Sequence, residues 1–281
     1  MASLHNFVSE GMVRLSPGPH KDRARADAEL LLLHVLGKNK SWLMAHLDEE
    51  LAEDNAVHYI ELIERRFKGE PIQYITGEME FYGLPFRVTP DVLIPRPETE
   101  HLVDKVIELA ARFEQPRILD IGTGAGAIAV ALAHKLPHAH IAATDISERA
   151  LAVARENAKR NGVDLRFLLG DLLAPVAGER FEIVVSNPPY VPNADRATLS
   201  VEVREHEPAL ALFAGEDGLD VYRRLIPAVF GALTPGGFVA FEIGCGQSTA
   251  IADLLVHAGF EQIEFIPDLQ GILRVACAWR P

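Results

Sequence analysis

The chain has 281 residues, 48% of them hydrophobic, and 27 basic against 40 acidic side chains give a formal net charge of −13. That length accommodates one domain of about 200 residues and a smaller one, and the acidic balance argues against duplex binding by phosphate neutralisation, which leaves a basic footprint. Two cysteines, 11 scattered histidines and the lack of a long apolar run exclude a disulfide framework, a metal motif and a membrane span.

A reducing, cytoplasmic setting and an unprocessed N-terminus are therefore expected, because no basic stretch followed by an apolar one opens the chain. Residues 1–73 read as a separate bundle of four or five short helices. Phe7, Val8, Met12 and Leu15 make one amphipathic stripe, and residues 27–36 make a mostly apolar helix stopped at Gly37. Ser41 is placed to cap a helix over residues 42–51, and Val57, Ile60, Ile63 and Phe67 recur at helical spacing before Gly69 and Pro71. The basic run Arg65, Arg66 and Lys68 reads as a solvated helix end. Residues 74–90, with Gly77, Gly83 and Pro85, predict a hairpin linker. Residues 91–281 alternate strand and helix signals, which predicts an α/β domain.

Within that domain Ile118-Leu119-Asp120-Ile121 is a short apolar strand running into Gly122-Thr123-Gly124-Ala125-Gly126, and residues 127–136 are helix-forming. A glycine-rich strand-to-helix turn admits a ligand to the backbone and to the positive end of a helix. Gly122, Gly124 and Ala127 also satisfy the loose dinucleotide pattern G-x-G-x-x-[GA], so a nicotinamide cofactor fits this turn equally well. Residues 140–144 form the next strand and end in Asp145, from which a carboxylate can hold ribose hydroxyls. Residues 165–169 form a third strand, ending at Gly170-Asp171-Leu172, where Asp171 can accept from an adenine amino group and Leu172 can pack on the ring. Singly, each Asp is as well explained as a helix N-cap. Together they describe an adenosine-bearing cofactor laid across a sheet.

The fourth strand, Phe181–Ser186, is apolar enough to be buried, and Asn187-Pro188-Pro189-Tyr190 follows at its carboxyl end, where open α/β sheets bind ligands. Asn187 offers one acceptor and two donors on a short stem. Pro188 and Pro189 fix φ and supply no N–H, which frees the carbonyl groups of Asn187 and Pro188 to face a ligand. With the ring of Tyr190, the turn suits a planar neutral NH2 group whose two hydrogens meet acceptors and whose nitrogen faces an electrophile. An ordinary strand-ending Asn-Pro turn is the bland alternative.

Residues 191–218 form a long segment that reads as one rim of the cleft, its Glu205-His206-Glu207 cluster more simply a salt-bridged loop than a general base. A helix over 219–233, a fifth strand over 238–243 and a closing pair over 260–266 and 272–279 complete a seven-stranded sheet.

From residue 70 onward the chain resembles the HemK-type protein-(glutamine-N5) methyltransferases of class I peptide chain release factors. The blocks that carry the resemblance are Pro71-Ile72-Gln73-Tyr74-Ile75-Thr76-Gly77, Phe81-Tyr82-Gly83, Leu93-Ile94-Pro95-Arg96-Pro97-Glu98-Thr99-Glu100, the glycine turn, Ser186 to Tyr190, and Glu207-Pro208-Ala209-Leu210-Ala211-Leu212 with Gly215-Glu216-Asp217-Gly218. The Asn-Pro-Pro-Tyr turn is shared with amino-methyltransferases of nucleic-acid bases, whereas the Ile-Pro-Arg-Pro-Glu-Thr-Glu block is far more specific. Asp268 to Arg274 departs from the family's lysine-flanked version and is read as strand and loop only.

The resemblance implies a Rossmann-like class I fold with a closing antiparallel strand pair, preceded by the helical bundle, which docks the release factor. It implies S-adenosylmethionine as cofactor, held by Gly122, Thr123, Gly124, Ala125, Gly126, Asp145, Asp171, Leu172 and Asn187. Catalysis would rest on Asn187, Pro188, Pro189 and Tyr190, and the acceptor would be the glutamine of a Gly-Gly-Gln motif. No direct nucleic-acid binding is expected. The leading alternative is methylation of adenine N6 or guanine N2 in a nucleic acid, with the base flipped into the same pocket.

Overall fold

The computed structural model describes residues 2–281. The chain divides into two compact units: one holds the residues up to Gly77 together with Leu199–His206, and the other holds Glu78–Thr198 and Glu207–Pro281.

The first unit is helical. It contains α1 (Leu4–Leu15), α2 (Ala24–Leu36), α3 (Lys40–Ala45), α4 (Glu53–Phe67) and the short α5 (Ile72–Thr76). Gly37 stops α2 in the left-handed region, φ 61°, a conformation glycine adopts without a Cβ penalty. The cap of α3 is Asn39, whose side chain accepts from the Trp42 N–H, and the helix ends at Ala45. The expected Ser41 cap and the extension to residue 51 are both corrected. An Asn two residues earlier supplies the acceptor at the geometry an N-cap needs.

The buried face of α4 also differs from the expected stripe. Val57 and Ile60 are more than half exposed, while Tyr59, Leu62, Ile63 and Arg66 face inward. Buried Arg66 is what the periodicity could not show. Its guanidinium donates to Asp27, itself buried on α2, and pairs with Glu202. The apolar count of the helix face is thus balanced by a buried ion network, which requires partners on both sides.

The second unit is an α/β sandwich. It opens with a hairpin, β1 (Glu78–Phe81) and β2 (Leu84–Arg87), paired antiparallel. Residues 74–76 end helix α5 instead of joining this hairpin, so the expected linker is shorter than 74–90. Phe81 and Phe86 are fully buried in the core of this unit, each contributing about 1.5–3 kcal/mol of apolar burial. The buried Asn157 side chain then hydrogen-bonds both the Arg87 N–H and the Arg87 carbonyl. The hairpin is fixed to the sandwich.

After α6 (Glu100–Ala110) come β3 (Arg117–Ile121), α7 (Ala127–Lys135), β4 (His140–Asp145), α8 (Glu148–Arg160), β5 (Arg166–Leu169) and β6 (Phe181–Ser186). The chain continues through α9 (Val201–His206), which belongs to the helical unit. It then forms α10 (Asp220–Ala232), β7 (Leu233–Glu242), α11 (Ser248–Ala258), β8 (Glu261–Pro267) and β9 (Leu273–Trp279). The seven-stranded sheet has the order β5-β4-β3-β6-β7-β9-β8, parallel except for β9, which runs antiparallel to both neighbours. One face packs on α6, α7 and the hairpin phenylalanines, the other on α10 and α11. Because both faces are covered, Phe181–Ser186 and Arg117–Ile121 read as continuous apolar runs. The strand order reverses between β3 and β6, and the crevice at the carboxyl ends of these strands is where such a sheet binds ligands.

Candidate active site

A cavity of about 290 Å³ opens at that crevice, near the lower end of the range for small-molecule sites, about 300–1,000 Å³. Gly122, Thr123 and Gly124 of the glycine turn line it. Gly122 and Gly124 have φ of 71° and 56°, and the space where a Cβ would project is open at both, which leaves room for a ligand against the backbone. The Gly122 and Thr123 N–H groups are held by the Thr144 carbonyl of β4, and the Thr123 hydroxyl donates to buried Asp120 at 2.6 Å. Burial pushes the Asp120 carboxyl up to about 7, with the Thr123 hydrogen bond opposing and the nearby Asp145 charge adding to the shift.

Asp145 closes β4. Its two carboxylate oxygens accept from the Gly124 and Ser147 N–H groups, both at 2.8 Å, so the glycine turn and the start of α8 are set by one side chain that also lines the cavity. Ile146, 54% exposed, lines the cavity next to it. An apolar side chain left in solvent at a strand end suits the face of a planar ring. Asp171 and Leu172 lie on the same wall. Leu172 adopts φ 50°, a left-handed conformation that costs a branched residue about 1–3 kcal/mol and is typical of ligand clamps. Asp171 is paired with Arg224 of α10, a cation the sequence did not point to.

Asn187 and Pro189 line the cavity where β6 ends, beside β3 and its glycine turn. The Asn187 Nδ2 donates to Thr99 Oγ1 at 3.2 Å, and Thr99 Oγ1 donates to Glu242 Oε2 at 2.6 Å. The Tyr190 hydroxyl donates to Glu242 Oε1 at 3.2 Å, and the Tyr222 hydroxyl to the Glu242 carbonyl at 2.5 Å. Burial raises the Glu242 carboxyl above its ordinary range against the opposing hydrogen bonds of Thr99 and Tyr190. The Tyr190 backbone is fixed as well. Gln247 donates to its carbonyl at 3.0 Å, and a Cβ on Gly218 would lie 2.2 Å from that same oxygen, so only glycine permits the approach.

Several expected site residues sit elsewhere. Gly126 faces away from the cavity; its φ of 81° starts α7, and a Cβ there would meet Ala154 at 3.1 Å. Pro188 is buried and does not line the cavity, and the ring of Tyr190 packs into the core beside Glu242 instead of standing on the cavity wall. Conversely, Arg96, Pro208 and Phe213 line it. Arg96 donates to buried Glu207 at 2.5 Å, which ties the Pro-Arg-Pro and Glu-Pro-Ala blocks together in space. Glu205 pairs with Arg204, but both, with His206, lie on helix α9 and not in the expected loop. Glu242 could have been suspected from one signal, a charge inside the apolar run Phe238 to Ile243.

The residues present fit S-adenosylmethionine. Open space above two glycines suits its methionine end, the Asp145 carboxylate a ribose, and Ile146 with Leu172 an adenine. A parallel sheet reversed at β3 and β6, with Asn187 lining a nucleoside-sized cavity at the strand ends, has the form of a Rossmann-like class I methyltransferase. Residues 99–205 match the family model of the methyltransferase small domain, and residues 18–77 match that of the PrmC N-terminal domain. The release factor glutamine methyltransferase of Moorella thermoacetica is 45% identical over 99% of both chains, and that of Deinococcus radiodurans 43% over 99% of this chain and 98% of its own. Among solved structures, a methyltransferase from Pyrococcus furiosus superposes with a TM-score of 0.52 over 70% of this chain and 89% of its own, at 20% identity. This chain belongs to the release factor glutamine methyltransferase family.

Proposed function

We propose that the protein methylates the side-chain amide N5 of the glutamine in the Gly-Gly-Gln motif of class I peptide chain release factors. The observation that carries this reading is the meeting, in one cavity, of Asn187 with the glycine turn, Asp145 and Leu172. S-adenosylmethionine would supply an electrophilic methyl group. Gly122 and Gly124 admit its amino-acid end, Asp145 takes the ribose hydroxyls, and Asp171 with Leu172 takes the adenine.

An amide nitrogen is a poor nucleophile because its lone pair is delocalised. Asn187 Oδ1 would accept one of its hydrogens, hold nitrogen toward the methyl group and stabilise the positive charge that develops on it. Tyr190 contributes by holding the turn through Glu242. The helical unit, matched by its own family model, is assigned to docking of the factor.

The acidic balance supports a protein acceptor over direct nucleic-acid binding. Among the described residues no helix is long and apolar enough to cross a membrane, and two unpaired cysteines suit the cytoplasm, where release factors work.

The test is to mix the purified chain with labelled S-adenosylmethionine and an unmethylated class I release factor, beside a copy whose Gly-Gly-Gln glutamine is replaced. Label on the intact factor alone is expected. No label on either factor, with label on bare RNA or DNA, would overturn the assignment in favour of a base amine.

A further inference from the structure

Glu242 is an unusual residue to find buried at the end of β7. Its side chain is 2% exposed, and burying a carboxylate costs several kcal/mol unless hydrogen bonds replace its water. An apolar residue at this buried strand end would carry no such cost. The carboxylate is instead held at both oxygens, by Thr99 Oγ1 at 2.6 Å and the Tyr190 hydroxyl at 3.2 Å. Thr99 in turn meets Asn187 at 3.2 Å and is itself buried.

The chemistry of this chain has a direction. A threonine hydroxyl owns one proton. A carboxylate can only accept, so that proton is directed to Glu242, and the hydroxyl has only lone pairs left for Asn187. Lone pairs can be met by Nδ2 and not by Oδ1. The side-chain amide of Asn187 is therefore turned with its donor end toward Thr99 and its acceptor end, Oδ1, away from it.

We infer that Thr99 and Glu242 are positioning residues that decide which end of the Asn187 amide faces the acceptor, and that they thereby select an NH2-bearing side chain over a carboxylate. The point matters because Asn is symmetric in shape. Turned over, it would present two N–H donors to the acceptor, a surface that suits the carboxylate of glutamate better than the amide of glutamine. Recognition of an N–H by a buried acceptor discriminates strongly, since the wrong partner leaves buried polar groups unpaired. The relay assigns that discrimination to two residues 88 and 55 positions from Asn187, each reached only through the fold.

The inference deepens the proposed function and rests on it. The experiment uses the full chain as wild type, Thr99→Val, Thr99→Ser and Glu242→Gln. Each is first checked for melting temperature and for S-adenosylhomocysteine affinity. Binding of an unmethylated release factor and of a copy with glutamate in place of the Gly-Gly-Gln glutamine is then measured with S-adenosylhomocysteine present, followed by kcat and KM on the glutamine factor. Wild type is expected to prefer the glutamine factor. Thr99→Val should cut that preference at least about fivefold and lower kcat about 10-fold or more with cofactor affinity unchanged. Thr99→Ser, which restores the hydroxyl, should return both close to wild type, and Glu242→Gln should erode the preference because a neutral amide no longer sets the direction of the Thr99 proton.

Thr99→Val with wild-type kcat and preference would overturn the relay, as would losses that simply track melting temperature and cofactor affinity. Since preference is read by binding, a wild type that discriminates but transfers no methyl group would overturn the assigned reaction and leave the relay supported. A wild type that binds both factors equally would overturn the relay.

Discussion

Where β3 and its neighbour β6 end, the cavity is built on different physical terms. The glycine-turn part is made largely of backbone: two glycines at positive φ, the N–H groups of Gly124 and Ser147 gathered by Asp145, and side chains such as Ile146 that stand half in solvent. The Asn187 part is made of side chains buried in series, Asn187 to Thr99 to Glu242 to Tyr190. A surface of backbone and exposed carboxylates tolerates loss of one contact with a proportionate drop in affinity. A buried relay is over-determined, and one missing partner leaves the rest unsatisfied. Cofactor binding and chemistry should thus respond to separate substitutions.

The sharpest way to break that division is Asn187→Ala. Turnover should fall by about 100-fold or more, while S-adenosylhomocysteine affinity measured by calorimetry stays near wild type; a variant that is active in single turnover would remove Asn187 from the chemistry. Asp145→Ala tests the glycine-turn part. The cofactor dissociation constant should rise about 10- to 100-fold, the loss of about 1–3 kcal/mol expected when hydrogen bonds to a carboxylate vanish, with most of kcat retained at saturating cofactor. If kcat collapses instead, the two parts are not separable.

Behind the glycine turn, bonded to Thr123, lies Asp120, and pH sharpens its role. Its folded carboxyl is raised to about 7 by burial, against roughly 4 in an unfolded chain. The native state therefore keeps a proton that the unfolded state has lost, and the associated stability is present below about pH 4 and is lost as pH rises through 7. Urea unfolding from pH 5 to 7 should show wild type losing stability relative to Asp120→Asn, with a slope approaching 1.4 kcal/mol per pH unit. Parallel curves for the two proteins would mean the carboxylate is ionised throughout. The smallest effect is expected for Ile146→Ala. Cofactor KM should rise about two- to fivefold, in line with the partial loss of an apolar ring contact, with no change in melting temperature; an unaltered KM would take Ile146 off the binding surface.

Reading the residues in order recovered what is local. The strand ends at Asp145, Asp171 and Asn187 were visible because apolar runs stop there and a polar group follows, and Gly122 with Gly124 because only glycine serves a turn of that kind. It erred where locality gives no guidance. The stripe Val57, Ile60, Ile63 and Phe67 has helical spacing, yet the buried face of α4 passes through Tyr59 and Arg66. The reason is that Arg66 finds Asp27, 39 positions earlier, and an ion pair inside a bundle looks like a surface charge until its partner is placed. Gly126 and Tyr190 were assigned to the cavity from their neighbours in the motif, whereas one closes against Ala154 and the other against Glu242.

Strand identity, the glycine turn and the position of the Asn-Pro-Pro-Tyr turn at the end of β6 follow from amino-acid order, because each depends on φ or on burial along a few residues. The orientation of the Asn187 amide does not, since it depends on which proton Thr99 gives to a carboxylate 143 residues further along. An amide nitrogen, a hydroxyl and a carboxylate linked in series at 3.2 and 2.6 Å by β6, the turn before α6 and β7 carry information that no run of sequence contains. Hydrogen-bond direction is a property of the assembled set, and it exists only once the sheet has closed.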